Sequence, residues 1–305
     1  MNILIVGLGS IAKKHILALK TIFSDVVVFA LRSDIHAEAY EGVINVYNFN
    51  ELPTEIDFAI ISTPSNLHFT FIELLAKKDI PLFIEKPPLH NLENVNKLLS
   101  LIDQKSLVTY VACNLRFHPC LIYLKEILKI NQDRINELNI YCGSYLPEWR
   151  PGIDFRTVYS VNSLKGGGVH LDLFHELDYT TWLFGLPNKS HSILRSVSSL
   201  AIDAVDYANF VLEYNSFTAN IILNYYRRKP RRDIEIVFDN FVWVVDLIKN
   251  VIKDDSGTYL FNANKYNIGD TYISQLEYFI KCLQNKIQPM NSFKESIENL
   301  KICLS

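Results

Sequence analysis

The chain begins with an apolar run, Ile3-Leu4-Ile5-Val6, that passes directly into Gly7-Leu8-Gly9-Ser10-Ile11-Ala12. A strand buried on both faces of a parallel sheet reads as continuous hydrophobicity, and the turn from it into a helix needs residues without bulk. Gly7 meets the tight turn, Gly9 lets the backbone approach a pyrophosphate, and Ala12 fills the third small position, where helix and strand pack closely. Free N–H groups and the positive end of the following helix then meet the phosphate charge. The segment predicts a dinucleotide-binding start, with Gly7, Gly9, Ser10 and Ile11 at the cofactor. Its alternative is a structural strand-turn-helix in some other α/β fold. A helical pattern over 11–23 and a second apolar run over 26–31 favour the first reading.

Through residue 112, strand-like runs at 3–6, 26–31, 58–62, 82–84 and 108–112 alternate with helical segments such as 66–78 and 91–103. This alternation predicts a doubly wound parallel sheet, with ligands beyond the carboxyl ends of the strands. From about residue 136 the strands follow in close succession, at 137–146, 190–200, 207–214, 219–226 and 234–245, and two helical segments, 271–284 and 292–304, close the chain. A length of 305 residues exceeds a comfortable single core. The expected fold class is therefore α/β: an N-terminal Rossmann parallel sheet in a domain over 1–112, and a C-terminal α/β domain over 113–305 built on a large, mostly antiparallel open sheet. An open sheet of that size needs cover on both faces, which predicts a homo-oligomer through the C-terminal sheet.

A formal net charge of −3 gives no general electrostatic reason for a nucleic-acid or anionic-membrane partner. The basic run Arg227-Arg228-Lys229-Pro230-Arg231-Arg232 lies between two strand-like stretches and is expected to be a solvated hairpin turn, the alternative being contact with an anionic substrate or a neighbouring subunit. Cys113, Cys120, Cys142, Cys282 and Cys303 are scattered without C-x-x-C spacing, so neither a disulfide framework nor a metal site is expected. No stretch is apolar for long enough to span a bilayer, and the first residues are already needed as a strand. A reducing, cytoplasmic setting fits this composition.

Three clusters carry chemistry. At the end of the fourth strand stands Glu85-Lys86-Pro87-Pro88, where proline biases Lys86 towards an extended backbone and stops the strand, projecting the ammonium into the crevice. A lysine there donates a hydrogen bond to a substrate oxygen or takes part in proton transfer; the plainer alternative is a surface lysine paired with Glu85. At the end of the third strand, Ser62-Thr63-Pro64-Ser65-Asn66-Leu67-His68 brings hydroxyls, an amide and an imidazole to one loop, suited to a ribose and nicotinamide or simply to capping a helix. In Gly166-Gly167-Gly168-Val169-His170-Leu171-Asp172-Leu173-Phe174-His175-Glu176, glycines permit close backbone approach and the following pattern is helical. One helix would place Asp172, His175 and Glu176 on one face, where a carboxylate orients an imidazole for proton exchange.

In this order and spacing the three clusters resemble the glucose–fructose oxidoreductase, inositol dehydrogenase and rhizopine catabolism (Gfo/Idh/MocA) family, over essentially the whole chain. Arg116-Phe117-His118-Pro119 and Tyr145-Leu146-Pro147-Glu148-Trp149-Arg150-Pro151-Gly152 further resemble the branch associated with bacterial surface carbohydrates. The resemblance implies a Rossmann domain, a second domain with an open sheet, and reversible hydride transfer between a nicotinamide cofactor and a sugar or cyclitol carbinol. It also implies that Lys86 contacts the reacting oxygen, with Asp172 and His175 on the other side of the acid–base site. Family members often separate that aspartate and histidine by four positions; here His175 is three after Asp172 and Glu176 takes the fourth, leaving the choice between them open.

Cofactor contacts are expected from Gly7, Gly9, Ser10, Ile11, Arg32, Ser33, Thr63, Pro64, Asn66, His68, Glu85 and Lys86. An NAD-preferring site puts a carboxylate at the end of the second strand. Here Ala30-Leu31-Arg32-Ser33-Asp34 favours the 2′-phosphate of NADP modestly over NAD. Substrate contacts are expected from Lys86, Arg116, Trp149, Arg150, Tyr159 and His175, with His118 and Arg156 nearby in sequence, which suits a sugar, an acidic sugar or a nucleotide-sugar. Two rivals remain at this level: a cofactor-binding sensor without turnover, and an NAD-dependent glycosidase that regenerates its cofactor.

Overall fold

The computed structural model describes residues 1–305, in two compact units: Met1–Asn114 with Ile268–Leu300, and Leu115–Asn267 with Lys301–Ser305. The first unit opens with β1 (Asn2–Val6), α1 (Ser10–Ile22) and β2 (Val27–Leu31), and continues through β3 (Ile44–Val46), β4 (Phe58–Ile61), α2 (His68–Ala76), β5 (Leu82–Glu85), α3 (Val95–Gln104) and β6 (Thr109–Ala112). All pairings are parallel, in the order β3-β2-β1-β4-β5-β6. β4, β5 and β6 are buried at every residue, the signature of a sheet covered on both faces. The order reverses at β1, so the turn after β1 and the loop after β4 flank the switch point where such sheets take ligands. The three-residue edge strand β3 escapes the sequence reading because it is too short to show a pattern.

The second unit holds α4 (Pro119–Ile130), β7 (Ile135–Tyr145), α5 (Val169–Asp172), α6 (His175–Phe184), β8 (Lys189–Arg195), β9 (Tyr207–Glu213), β10 (Thr218–Asn224), β11 (Tyr226–Phe238), β12 (Val242–Asp246), β13 (Val251–Asp254) and β14 (Tyr259–Asn262). Its eight strands run β14-β13-β12-β11-β7-β10-β9-β8, antiparallel except where β7 meets β10. One face carries Leu138, Ile140, Phe210, Leu212, Ile221 and Ile234, all buried; the alternate residues, among them Ile193 and Val244, remain exposed. The sheet is thus one-sided, as alternation along β8 and β9 requires.

Four expectations change. The run 234–245 is two strands rather than one, β11 and β12, joined around 239–241. The basic run lies inside β11 and is no hairpin turn; Pro230 sits in the register break between Tyr226 and Arg231, where its missing N–H costs no ladder bond. The helix after the glycines is interrupted at Leu173, whose φ of −99° and ψ of 35° separate α5 from α6. Finally, α7 (Asp270–Asn285) and most of α8 (Phe293–Cys303) belong to the first unit, so the second does not extend unbroken from 113 to 305. Among the first-unit contacts is Asn291, whose side chain donates to the Val111 carbonyl at 2.8 Å.

Candidate functional site

In the first unit the glycine turn has the geometry its sequence demands. Gly7 has φ of +87°, and a Cβ there would stand 2.9 Å from Thr63 Cγ2 and 3.0 Å from the Thr63 nitrogen, so no larger residue fits. Gly9 caps α1 without any side-chain hydrogen bond, and a Cβ on it would meet nothing within 4 Å. The first-turn N–H groups of α1, from Ser10 and Ile11 onward, have no intrahelical acceptor and no acidic neighbour in that turn, so the open space before them is a place for anionic phosphate. Ser62 Oγ donates to the Gly7 carbonyl at 2.7 Å and ties this turn to the end of β4.

The loop after β4 fits the rest of a dinucleotide. Thr63 Oγ1 and Asn66 Oδ1 are buried atoms without a hydrogen-bond partner in the protein, a donor-acceptor and an acceptor suited to ribose hydroxyls or a carboxamide. Pro64 lies exposed between them. At the end of β2, Arg32 Nη1 donates to the Glu38 carbonyl and to Asn45 Oδ1, both at 3.2 Å. Asp34 accepts from the His36 N–H at 2.8 Å in a local turn, and Ser33 is exposed. The strand end therefore presents a guanidinium in the place where an NAD-preferring site presents a carboxylate.

Two residues expected at the cofactor are committed elsewhere. Glu85, the last residue of β5, has Oε1 2.6 Å from His15 Nε2 on α1, while its Oε2 accepts the Lys86 N–H at 3.2 Å. Its side chain is thus spent on α1 rather than on the Lys86 ammonium or a ligand. His68 is buried, with Nε2 2.9 Å from the Thr63 carbonyl and Nδ1 3.2 Å from the Pro88 carbonyl, and burial holds its pKa below the ordinary imidazole value. Lys86 itself is half-buried directly after the strand end.

In the second unit Asp172 ends α5 and accepts one phenol on each oxygen: Tyr159 at 2.7 Å and Tyr225 at 2.5 Å. Desolvation and the carboxylate beside them push both phenols above their usual pKa. Tyr225 directly follows β10 and reaches Asp172 across 53 residues of sequence, a distance at which no local pattern links the two. The edge of Trp149 meets Tyr225 at 5.4 Å between ring centroids, and Trp149 Nε1 donates to Ser144 Oγ at 2.8 Å. Arg150 lies over Tyr159 at 5.6 Å. Trp149, Arg150 and Tyr159 therefore gather around Asp172. The glycines serve this packing: a Cβ on Gly167 would collide with the carbonyl oxygens of Tyr159, Ser160 and Asn162, so the close approach they permit is that of the Tyr159 loop.

The geometry also separates His175 from Glu176. Glu176 is fully buried and accepts from Arg232 Nε at 2.6 Å. Of residues 166–180 His175 alone keeps partial exposure, at the start of α6. Arg116, expected at the substrate, is instead 1 % exposed and donates through Nε and Nη2 to both oxygens of Asp178, at 2.9 and 2.8 Å. That bidentate pair pins α6 from within. His118 is the N-cap of α4, accepting from the Cys120 N–H, with Nε2 2.9 Å from Asn250 Oδ1; burial pushes its pKa down to about 4. Arg156 is exposed beside Asp154.

Residues 1–113 match the profile of the Gfo/Idh/MocA oxidoreductase family, described as an NAD-binding Rossmann fold. Inositol 2-dehydrogenase of Rhizobium meliloti is 24% identical over 187 residues, covering 59% of this chain and 54% of that protein, so the chain matches about half its length. Myo-inositol 2-dehydrogenase of Thermotoga maritima is 25% identical over 314 residues, 95% of this chain and 90% of that one. In fold, the chain is similar to the WlbA dehydrogenase of Bordetella pertussis, solved in complex with NADH and UDP-GlcNAcA, with a TM-score of 0.83 and 16% identity over 98% of this chain and 92% of that one. Residues 1–113 thus match the Gfo/Idh/MocA oxidoreductase family's NAD-binding Rossmann fold, and the whole chain shares the fold of the sugar dehydrogenases it resembles.

Proposed function

We propose that this chain is an NAD(P)-dependent oxidoreductase that moves a hydride between nicotinamide and a carbinol or ketone carbon of a sugar, acidic sugar or nucleotide-sugar. The observation that carries this reading is the cradle around Gly7 and Gly9, with the orphaned Thr63 Oγ1 and Asn66 Oδ1 beside it and Lys86 at the end of the neighbouring strand. Gly7, Gly9, Ser10 and Ile11 hold the pyrophosphate, Thr63, Pro64 and Asn66 the ribose and nicotinamide end, and Arg32 with Ser33 the adenosine end. When bound, the nicotinamide supplies the carbon that accepts or gives the hydride. Lys86 donates a hydrogen bond to the reacting oxygen, stabilising the charge that develops there. His175 takes or returns the hydroxyl proton, and the Asp172 carboxylate, fixed by Tyr159 and Tyr225, serves as the oriented acceptor of the site. Trp149 offers a sugar its apolar face, and Arg150 a positive charge suited to an acidic or phosphorylated group.

Arg32 in the place of a carboxylate supports NADP as the preferred form, and Arg32→Ala is expected to weaken NADPH more than NADH. The one-sided second sheet, with Ile193 and Val244 exposed on its open face, supports a second copy of the chain as its cover. Incubating the protein with NAD or NADP and a panel of cyclitols, sugars and nucleotide-sugars tests the function through the absorbance of reduced nicotinamide. Substrate-dependent reduction is expected, and Lys86→Ala should lower turnover by about 10³-fold while leaving NADPH binding within about threefold, a loss in the range for a positioned acid–base group. Undiminished turnover in that variant would reject the role given to Lys86.

A further inference from the structure

We propose that His15 and His68 are positioning residues for Lys86: two buried imidazoles that brace the segment Glu85-Lys86-Pro87-Pro88 on either side of the lysine. The proposal rests on the reading of Lys86 given above. On the first side, the Glu85 carboxylate is shared between His15 Nε2 at 2.6 Å and the Lys86 N–H at 3.2 Å, so the imidazole sets the orientation of the group that holds the lysine's own backbone. His15 is 0 % exposed and wedged edge-on against Phe83 and Tyr272, with centroids at 5.0 and 5.8 Å, so the ring has no room to turn away. On the second side, His68 sits between the Thr63 carbonyl and the carbonyl of Pro88, two residues beyond Lys86, and as a neutral ring donates its single N–H to one of them while packing against the other.

Neither ring is exposed enough to meet a substrate, which separates both from groups that act on the reacting atoms. A buried imidazole is costly unless its hydrogen bonds are made, and an apolar residue would fill either space more simply. Of the contacts these rings make, His15 Nε2 on Glu85 and His68 Nδ1 at the Pro88 carbonyl reach the lysine segment. Each brace also starts from an element that forms the cradle: α1 carries Gly9 and Ser10 at its beginning and His15 farther along, while His68 is the first residue of α2, directly after the Thr63 loop. The two histidines thereby fix the distance between Lys86 and the cradle. A displacement of about 1 Å at a reacting group is enough to cost about 10²-fold in rate.

Lys86 carries the only backbone N–H between Glu85 and Leu89, because Pro87 and Pro88 have none, so its hydrogen exchange reads the brace directly without cofactor or substrate. His15→Gln keeps an amide near the position of Nε2, whereas His15→Asn places it near Nδ1, out of reach of Glu85; the pair is matched in polarity. In His15→Asn the Lys86 amide should exchange about tenfold faster and kcat should fall by about ten- to a hundredfold, with KM for cofactor and the Kd of NADH within about threefold. His15→Gln should restore both readings. His68→Asn, against His68→Gln as its control, should lower kcat in the same way. Exchange and kcat that stay at the native level in both Asn variants would overturn the proposal, and so would a kcat loss matched by an equal loss of NADH binding. If the native protein neither binds NADH nor reduces any nicotinamide, the functional reading falls, while the Lys86 exchange rate still decides whether His15 holds the segment.

Discussion

The two units use their buried polar groups differently. In the first, one set gathers at the carboxyl ends of the strands, with Ser62 and Thr63 after β4, Glu85 at the end of β5 and the histidines that reach them from α1 and α2, while Thr109, Gln275 and Asn291 tie β6 to α7 and the start of α8. In the second the buried polar groups are spread through the interior as ties between helices and strands, with Arg116 on Asp178, Arg232 on Glu176, and two phenols on Asp172. The strand-end set of the first unit therefore points to a ligand end, whereas most buried polar groups of the second unit, like Thr109 and Asn291 in the first, hold the fold together. The cluster around Asp172 and His175 in the second unit combines interior ties with a side chain left partly exposed.

The sharpest way to break this contrast is to remove one partner of a second-unit tie. Asp178→Ala leaves the Arg116 guanidinium buried without its carboxylate, and chemical denaturation should show a loss of about 3–5 kcal/mol, the usual cost of a broken buried pair. A loss below about 1 kcal/mol would mean that Arg116 finds water and that the pair does not hold α6.

Acid should reveal the same interior. His118 and His170 are both pushed down to about 4 from an ordinary value of 6.5, chiefly by burial. Above pH 6.5 the ring is neutral in both folded and unfolded chains and contributes nothing. As pH falls from 6.5 towards 4 the unfolded chain takes up protons that the folded one refuses, so stability drops by up to about 3 kcal/mol per histidine. His68 in the first unit is shifted in the same direction. Thermal unfolding followed between pH 7 and about 4.5 should show the decline, and His118→Gln should flatten part of it; an unchanged slope would mean that the His118 ring is hydrated in the folded chain.

A smaller effect separates fold from ligand within the first unit. Gly7→Ala should destabilise by about 1–3 kcal/mol, since it places a side chain at φ of +87° and 2.9 Å from Thr63 Cγ2. Gly9→Ala should cost only a few tenths of a kcal/mol as an N-cap change, yet weaken NADPH binding by about tenfold or more, because the space it fills belongs to the pyrophosphate. Calorimetry of folding beside cofactor titration distinguishes them. Equal stability losses in the two variants would take the cradle away as a ligand site.

How much could be read beforehand follows the same division. The first unit was legible because its signals are local: continuous apolar strands, glycines at fixed offsets, and Lys86 before two prolines. Its exceptions are Glu85 and His68, whose partners His15 and Pro88 lie 70 and 20 residues away. In the second unit Arg116 has the composition of a substrate contact, and nothing near it in sequence shows that Asp178, 62 residues on, consumes its fork. The signal for α4 is local, His118-Pro119, an N-cap followed by proline at the first helical turn, yet the same two residues also suit a substrate contact. Pro230 and the surrounding charge suggested a turn, and only the pairing of β11 with β7 shows a strand whose ladder is broken at that point. His15 offered one faint sign, a histidine on the buried face of α1 beside Ala12 and Leu19.

The central claim is that this chain transfers a hydride from a carbohydrate carbon to a nicotinamide. The most direct measurement uses a substrate found in the panel, deuterated at the carbon that is oxidised, and mass spectrometry of the reduced cofactor. The account predicts one deuterium on the nicotinamide per turnover and a matching ketone product. Oxidised product with no deuterium in the cofactor, or glycoside cleavage with the cofactor left unchanged overall, would contradict it.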